Sequence, residues 1–192
     1  MTVLLQAVNN VLAAVALPPV NSLVQPVAAT TALAQQHIEA ENRRAQLEGW
    51  CFNTEPRAEL RPDASGEIAE PSNVLRFEAL DSTFYAFQNG KLRDLLNDTY
   101  TFSTAVWGKL VTLEDFENVP PWFRAMVEAR AARRMHAAFR GDPAGARSAA
   151  VDERAAVADA RRADSQQRRY SSSECASVRR TTHRFRRLGN II

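Results

Sequence analysis

Apolar positions recur at helical spacing in four stretches of the chain and at strand spacing between the second and third. Leu4, Val8, Val11, Leu12 and Val15 share one face of a helix from about Thr2 to Ala16. Thr2 is placed as its N-cap, and Pro18 and Pro19 stop it. A loop rich in proline and small residues leads to a second helix, from about Thr30 to Glu48. Thr30 or Thr31 is its expected cap and Gly49 its terminator. Leu33, Ala34, Ile38, Glu41 and Ala45 face one side of it; Gln35, Gln36, Arg43 and Arg44 face the other.

The period then shortens. PDASGE at 62–67 reads as a hairpin turn, with Asp63 and Gly66 supplying the local chemistry. Strand-like runs follow at Val74–Leu80, Thr83–Gln88, Thr99–Ser103 and Ala105–Leu113, and Asn89-Gly90 and Asn97-Asp98 mark turns. Arg57 to about Leu113 therefore reads as a small antiparallel sheet inserted between helix pairs.

The most regular stretch runs from Asp115 to Asp142. Pro120 or Pro121 suits its first helical turn and Gly141 its C′ position. Phe123, Val127, Ala131, Met135, Ala138 and Phe139 fall on one arc, with Arg130 and Arg134 inside it. Either both arginines extend to the edge of the arc, or one or both meet a carboxylate within a bundle or across a subunit contact. Asp142 as N-cap and Pro143 at N1 open a fourth helix, to about Arg169. It is rich in alanine and charge, so it packs weakly on its own. From Tyr170 the chain reads as an extended arm ending in Leu188, Ile191 and Ile192.

The predicted fold is α+β, mainly α. A bundle of about four helices carries a small antiparallel β-lobe between helices 2 and 3, plus a C-terminal arm. The corresponding units are 1–56, 57–113, 114–169 and 170–192.

Charge separates the arm from the body. The sequence has 192 residues and a formal net charge of +2. Residues 161–192 carry nine arginines against Asp164 and Glu174, while the other 160 residues sum to −5. Lys91 and Lys109 are the only lysines, and arginine suits bidentate contacts with carboxylates or phosphates. Cys51 and Cys175 suggest no disulfide framework, which favours a reducing compartment. The N-terminal apolar run is too short to span a bilayer and reads as a core helix.

Catalytic chemistry has no foothold in the pattern. There is no glycine-rich phosphate loop, no cysteine pair at metal spacing and no HExxH. His37, His136 and His183 lie in separate segments, and His37 reads as solvated. Cys51, between two aromatics, reads as a packed core thiol. Glu114 and Asp115 are placed to serve the N-terminus of the third helix. No cofactor or metal is implied. Arg179, Arg180, Arg184, Phe185, Arg186 and Arg187 set an aromatic among arginines. That pattern suits nucleic-acid phosphates and bases, an acidic protein groove, or a tail with no partner.

Five segments in order resemble the tail tubular protein A family, the head-to-tail adaptors of short-tailed bacterial viruses. GWCFNTE at 49–55 is similar to the family's G-W-x-F-N-x-E. LRPDASGEI at 60–68 is similar to its L-x-P-D-x-x-G-E-I hairpin, and NGKLRDLLNDTYTF at 89–102 to its G-K-L-x-D…T-F stretch. LEDFENVPPWFRAMVEARAARRMHAAFRGD at 113–142 resembles D-F-E-x-L-P…R-A-A-R-R-F, with Met135 in place of an aromatic. AVNNVLAAVALPPVNSL resembles the first helix and its loop. The resemblance covers about 3–145.

It implies a structural virion protein of the tail or neck, assembled in the host cytoplasm, with no catalysis and no membrane contact. Subunits would form a homo-oligomeric ring of about twelve between the portal protein and the tail nozzle, with DNA ejected through the channel. Portal contact is expected from Arg179, Arg180, Arg184, Phe185, Arg186, Arg187, Leu188, Ile191 and Ile192. Core and ring contacts are expected from Phe123, Val127, Arg130, Arg134 and Phe139. The alternative is a small nucleic-acid-binding protein that uses the arginine tail.

Overall fold

The computed structural model describes residues 2–24, 27–81, 84–139 and 143–168. The arm residues from Arg179 to Ile192, and also Gly141 and Asp142, lie outside them. Four helices run as α1 (Val3–Ala14), α2 (Ala29–Gln46), α3 (Pro121–Phe139) and α4 (Pro143–Gln167), and all the strands fall between α2 and α3.

Helix α1 starts where expected: the Thr2 hydroxyl accepts the Leu5 N–H at 3.3 Å. Asn9 then brackets the following loop, taking the Val20 N–H at 2.8 Å and donating to the Val20 carbonyl at 2.9 Å. Helix α2 differs from expectation at its start. Ala28 is the N-cap and makes no side-chain bond, because Thr31 turns inward and is buried in the first turn. Gly49 ends the helical segment with φ at +78°, a left-handed conformation that glycine takes without strain.

The bundle core is one cluster. Val8, Val11 and Leu12 of α1, Ala34 and Ile38 of α2, Phe123, Val127, Ala131 and Met135 of α3, and Ala160 of α4 are all sealed from solvent. Phe123 stacks edge-on against Phe52 at 4.9 Å and Trp50 at 5.4 Å between ring centres. Ala138, placed on the predicted arc, is exposed. The expectation for the Phe139 side chain lies outside the described residues. Helix α4 packs along α3, burying Ala149 and Ala160.

The lobe contains two sheets. β1 (Thr54–Leu60), β2 (Val74–Ala79) and β5 (Val106–Thr112) form an antiparallel sheet ordered β1-β5-β2. β3 (Tyr85–Gln88) and β4 (Lys91–Asp94) form a hairpin closed by Asn89-Gly90, both at positive φ. Strand β4 was not among the predicted runs, because four residues of K-L-R-D are too short to show alternation. The predicted strand at Thr99–Ser103 is reduced to isolated bridges at Thr99 and Thr101. The tight Asp94–Thr99 turn consumes the chain before a ladder can extend.

The 62–67 turn exists. Asp63 accepts the Ser65 and Glu67 N–H groups at 2.8 and 2.9 Å, and Gly66 has φ at +82°. It does not join paired strands, since β1 and β2 lie on opposite sides of β5. A second small core, Leu60, Ile68, Leu92 and Val106, fills the lobe. Gly108 is required there: a Cβ would sit 2.2 Å from the Phe77 ring. On β1, Pro56 and a bulge between Glu55 and Ala58 blunt the free edge against further strand addition.

Candidate assembly interface

The lobe is fixed to the bundle by three buried amides. Gln46, at the last turn of α2, is fully buried. Its side chain accepts the Glu114 N–H at 2.8 Å and donates to the Glu114 carbonyl at 2.7 Å. Asn42, one turn earlier, donates to the same carbonyl at 3.3 Å. Asn53 donates to the carbonyls of Gln46 and Thr112, at 3.1 and 2.8 Å, and accepts the Trp50 N–H at 2.8 Å. The strand that enters the lobe and the strand that leaves it are thus tied to one helix end. Buried amides satisfied in this way specify a single geometry.

This corrects the role expected for Glu114 and Asp115. Helix α3 begins at Pro121 with no acidic residue in its first turn. Glu114 instead lends its backbone to Gln46. The sequence signal for the root was present but unread: Asn42 and Gln46 lie on the inward side of α2 beside Ile38 and Ala45.

At the other end of the strands the lobe shows apolar side chains to solvent. Among the described residues, Leu80, Phe84, Leu95, Leu96 and Trp107 are 56, 66, 46, 66 and 39% exposed. Backbone bonds join two pairs of them: Leu80 N–H donates to the Trp107 carbonyl, and Leu95 N–H to the Phe84 carbonyl, both at 2.9 Å. Charged groups lie beside them. Asp94 accepts from the Leu96 and Asn97 N–H groups. Asp98 pairs with Arg93, and the Arg57 guanidinium lies 5.1 Å from the Trp107 ring centre. Sequence reading missed this tip. Its signal was Leu95-Leu96 placed directly before a turn, where neither has a strand face to hide on.

The arginines inside the α3 arc meet carboxylates of their own subunit. Arg130 pairs with Glu48 at 3.0 Å, and Arg134 pairs with Glu41, whose side chain is 4% exposed. Arg133 reaches Glu153 of α4 at 2.7 Å. Together with Arg44 they line an open cleft of about 520 Å³ between α2, α3 and α4. Three of its four arginines are spent on glutamates, so the cleft works as a seam between helices.

His37 is less solvated than expected. Its Nε2 is buried without a hydrogen-bond partner. Burial, then the nearby Arg134 charge, lowers its pKa from 6.5 against a smaller opposing pull from Glu41. Cys51 is half-buried rather than a core thiol, and its S–H donates to Gln167 at 3.2 Å. Burial and the Asp164 carboxylate push it up to about 11, which keeps it protonated. Among the described residues no His, Cys, Asp and Glu cluster suits a metal ion, and no helix is long and apolar enough to cross a membrane.

The family model for tail tubular protein matches residues 5–170. The chain belongs to the tail tubular protein family. Tail tubular protein A of Klebsiella phage KP34 is 37% identical to it over 83 residues, 42% of this chain and 44% of that protein. The chain thus spans less than half the length of that relative. This tail tubular family member is a structural protein of a phage tail, located in the virion.

Proposed function

We propose that the chain is the head-to-tail adaptor of its virion, a ring of about twelve subunits between portal and tail nozzle that lines the DNA ejection channel. The observation that carries this reading is the pinned lobe with its uncovered apolar tip on a member of the tail tubular family. Monomers rarely leave such a cluster exposed unless other protein covers it. Each subunit contact is modest, and a closed ring multiplies it.

In this reading the chain divides into bundle helices 1–56 and 114–169, lobe 57–113 and arm 170–192. The lobe faces the nozzle, and the arginine arm faces the portal. Phe123 and Val127 hold the subunit core, while the α2–α3 seam with Arg130 and Arg134 borders the ring contacts. The rival reading, nucleic-acid binding by the arm, draws on the same arginines.

The test uses Ala64, exposed at the tip of the 62–67 turn and outside the Asp63 bonds that shape it. Ala64→Arg is expected to leave portal binding intact and abolish nozzle attachment. Loss of portal binding with nozzle attachment kept would reverse the orientation. For the arm, changing Arg179, Arg180, Arg184, Arg186 and Arg187 to glutamine, or Phe185, Ile191 and Ile192 to serine, should each prevent docking on the portal. Normal docking of the serine variant would reduce the arm to an electrostatic tether.

A further inference from the structure

Helix α4 repeats arginine at seven-residue spacing along its outer side. Arg147, Arg154 and Arg161 are all exposed. Seven residues of α-helix return to within about 20° of the starting direction, so the three form one stripe. They stand about 10.5 Å apart, and the stripe is about 21 Å long. Among the described residues none of the three makes an ion pair. The positions three and four residues further on, where a carboxylate would pair with each, hold Ala150, Val151, Val157, Ala158, Asp164 and Ser165. Asp164 is buried and pairs with Arg168 at 2.7 Å.

The remaining acids of the helix do not neutralise the stripe. Asp152 and Asp159 lie about 120–140° round the helix from Arg147, and Asp159 is taken by Arg162 at 3.2 Å. Glu153 is taken by Arg133 of α3. The stripe also lacks an apolar centre. Ala155 and Ala158 lie beside it, and among the described residues Val151 is the exposed large apolar side chain of α4, at 59%. Protein contacts close over an apolar or aromatic centre depleted of charge. A phosphate backbone asks for positive charge and no such centre. Duplex DNA carries one negative charge about every 1.7 Å of its axis, so a straight row of cations meets phosphates along its whole length. Such contacts read no bases and let a duplex slide, as passage through a channel requires.

We infer that the stripe of Arg147, Arg154 and Arg161 is a sequence-independent contact surface for the phosphate backbone of duplex DNA. The assignment rests on the ring reading above for where the DNA is met. It separates the DNA contact from the arm, which that reading turns to the portal.

The test is a titration of the full chain against a random-sequence duplex over a series of salt concentrations. The slope of log affinity against log salt is about −0.9 for each phosphate neutralised. Arg154→Gln with Arg161→Gln is expected to flatten the slope by about 1.8. Arg43→Gln with Arg44→Gln, on exposed positions of α2, removes the same charge and is expected to leave the slope unchanged. Lysine at 154 and 161 should restore it, because a phosphate accepts a point charge while a carboxylate site fitted to the guanidinium fork does not. Unchanged helical circular dichroism checks the fold of each variant. Equal flattening by the two glutamine pairs would reduce the stripe to a share of net charge and overturn the inference. So would an unaltered slope in the 154 and 161 variant. A loss that lysine does not restore, or normal DNA binding with failed docking on the portal, would assign the stripe to an acidic protein and overturn it too. Microscopy of the unmodified chain on its portal judges the ring reading apart. Rings with no change of slope would remove this inference alone; a flattened slope without rings would remove the channel and uphold the DNA surface.

Discussion

Phe123 is the side chain on which the bundle closes. It is fully buried and touches Trp50 and Phe52, which sit where the chain leaves α2 for the lobe. Phe123→Ala is expected to lower unfolding free energy by about 3–5 kcal/mol, read from urea denaturation; an unchanged midpoint would contradict this packing. His37 gives a pH dependence. Its pKa is lowered in the fold by burial and Arg134, so the unfolded chain takes up a proton first as pH falls below 6.5. Stability from the neutral ring is therefore present above that value and lost below it. Asp63 and Asp94 are held below the usual carboxylate range by hydrogen bonds and titrate beneath this window. The stability lost between about pH 7.5 and about pH 5.5 should be smaller in His37→Gln than in the unmodified protein. Equal losses would remove His37 as the cause. Periodicity alone placed Phe123, Val127 and Met135 in the core. It could not place His37, because the arginine and glutamate around it come together only when α3 lies against α2.

At the scale of elements, helices were legible and strands less so. Long amphipathic runs with proline and glycine punctuation set α1 to α4 to within a few residues. The lobe's strands are four to seven residues long, and their partners are set by the β1-β5-β2 order, which no local pattern encodes. The α2 start went wrong for a similar reason: tertiary packing drew Thr31 inward and left the cap to Ala28. The element that matters most is the α2 end. Gln46→Leu keeps the approximate volume but leaves the Glu114 N–H unpaired, at a cost of about 1–3 kcal/mol. Hydrogen exchange should quicken at Glu114 and Thr112 while α1 amides stay protected. Protection unchanged at both positions would mean the root does not depend on Gln46. Gly108→Ala should destabilise the lobe through Phe77, by about 1–3 kcal/mol, and a lobe that melts normally would contradict that contact.

The whole molecule is a helix bundle, a pinned lobe with exposed apolar side chains, and a chain terminus rich in arginine. The resemblance read from five ordered segments agrees with the family match over 5–170. Charge asymmetry was legible as soon as the arginines were counted. The lobe tip was not, because exposure belongs to the folded object and Leu95 or Phe84 look like core residues in a one-dimensional pattern. The central claim is that these surfaces exist to build a ring. Electron microscopy of the purified chain mixed with its portal protein tests it most directly. The account predicts closed rings of about twelve subunits seated on the portal. Monomers that leave the portal bare, and instead retard DNA in a salt-sensitive manner, would contradict it.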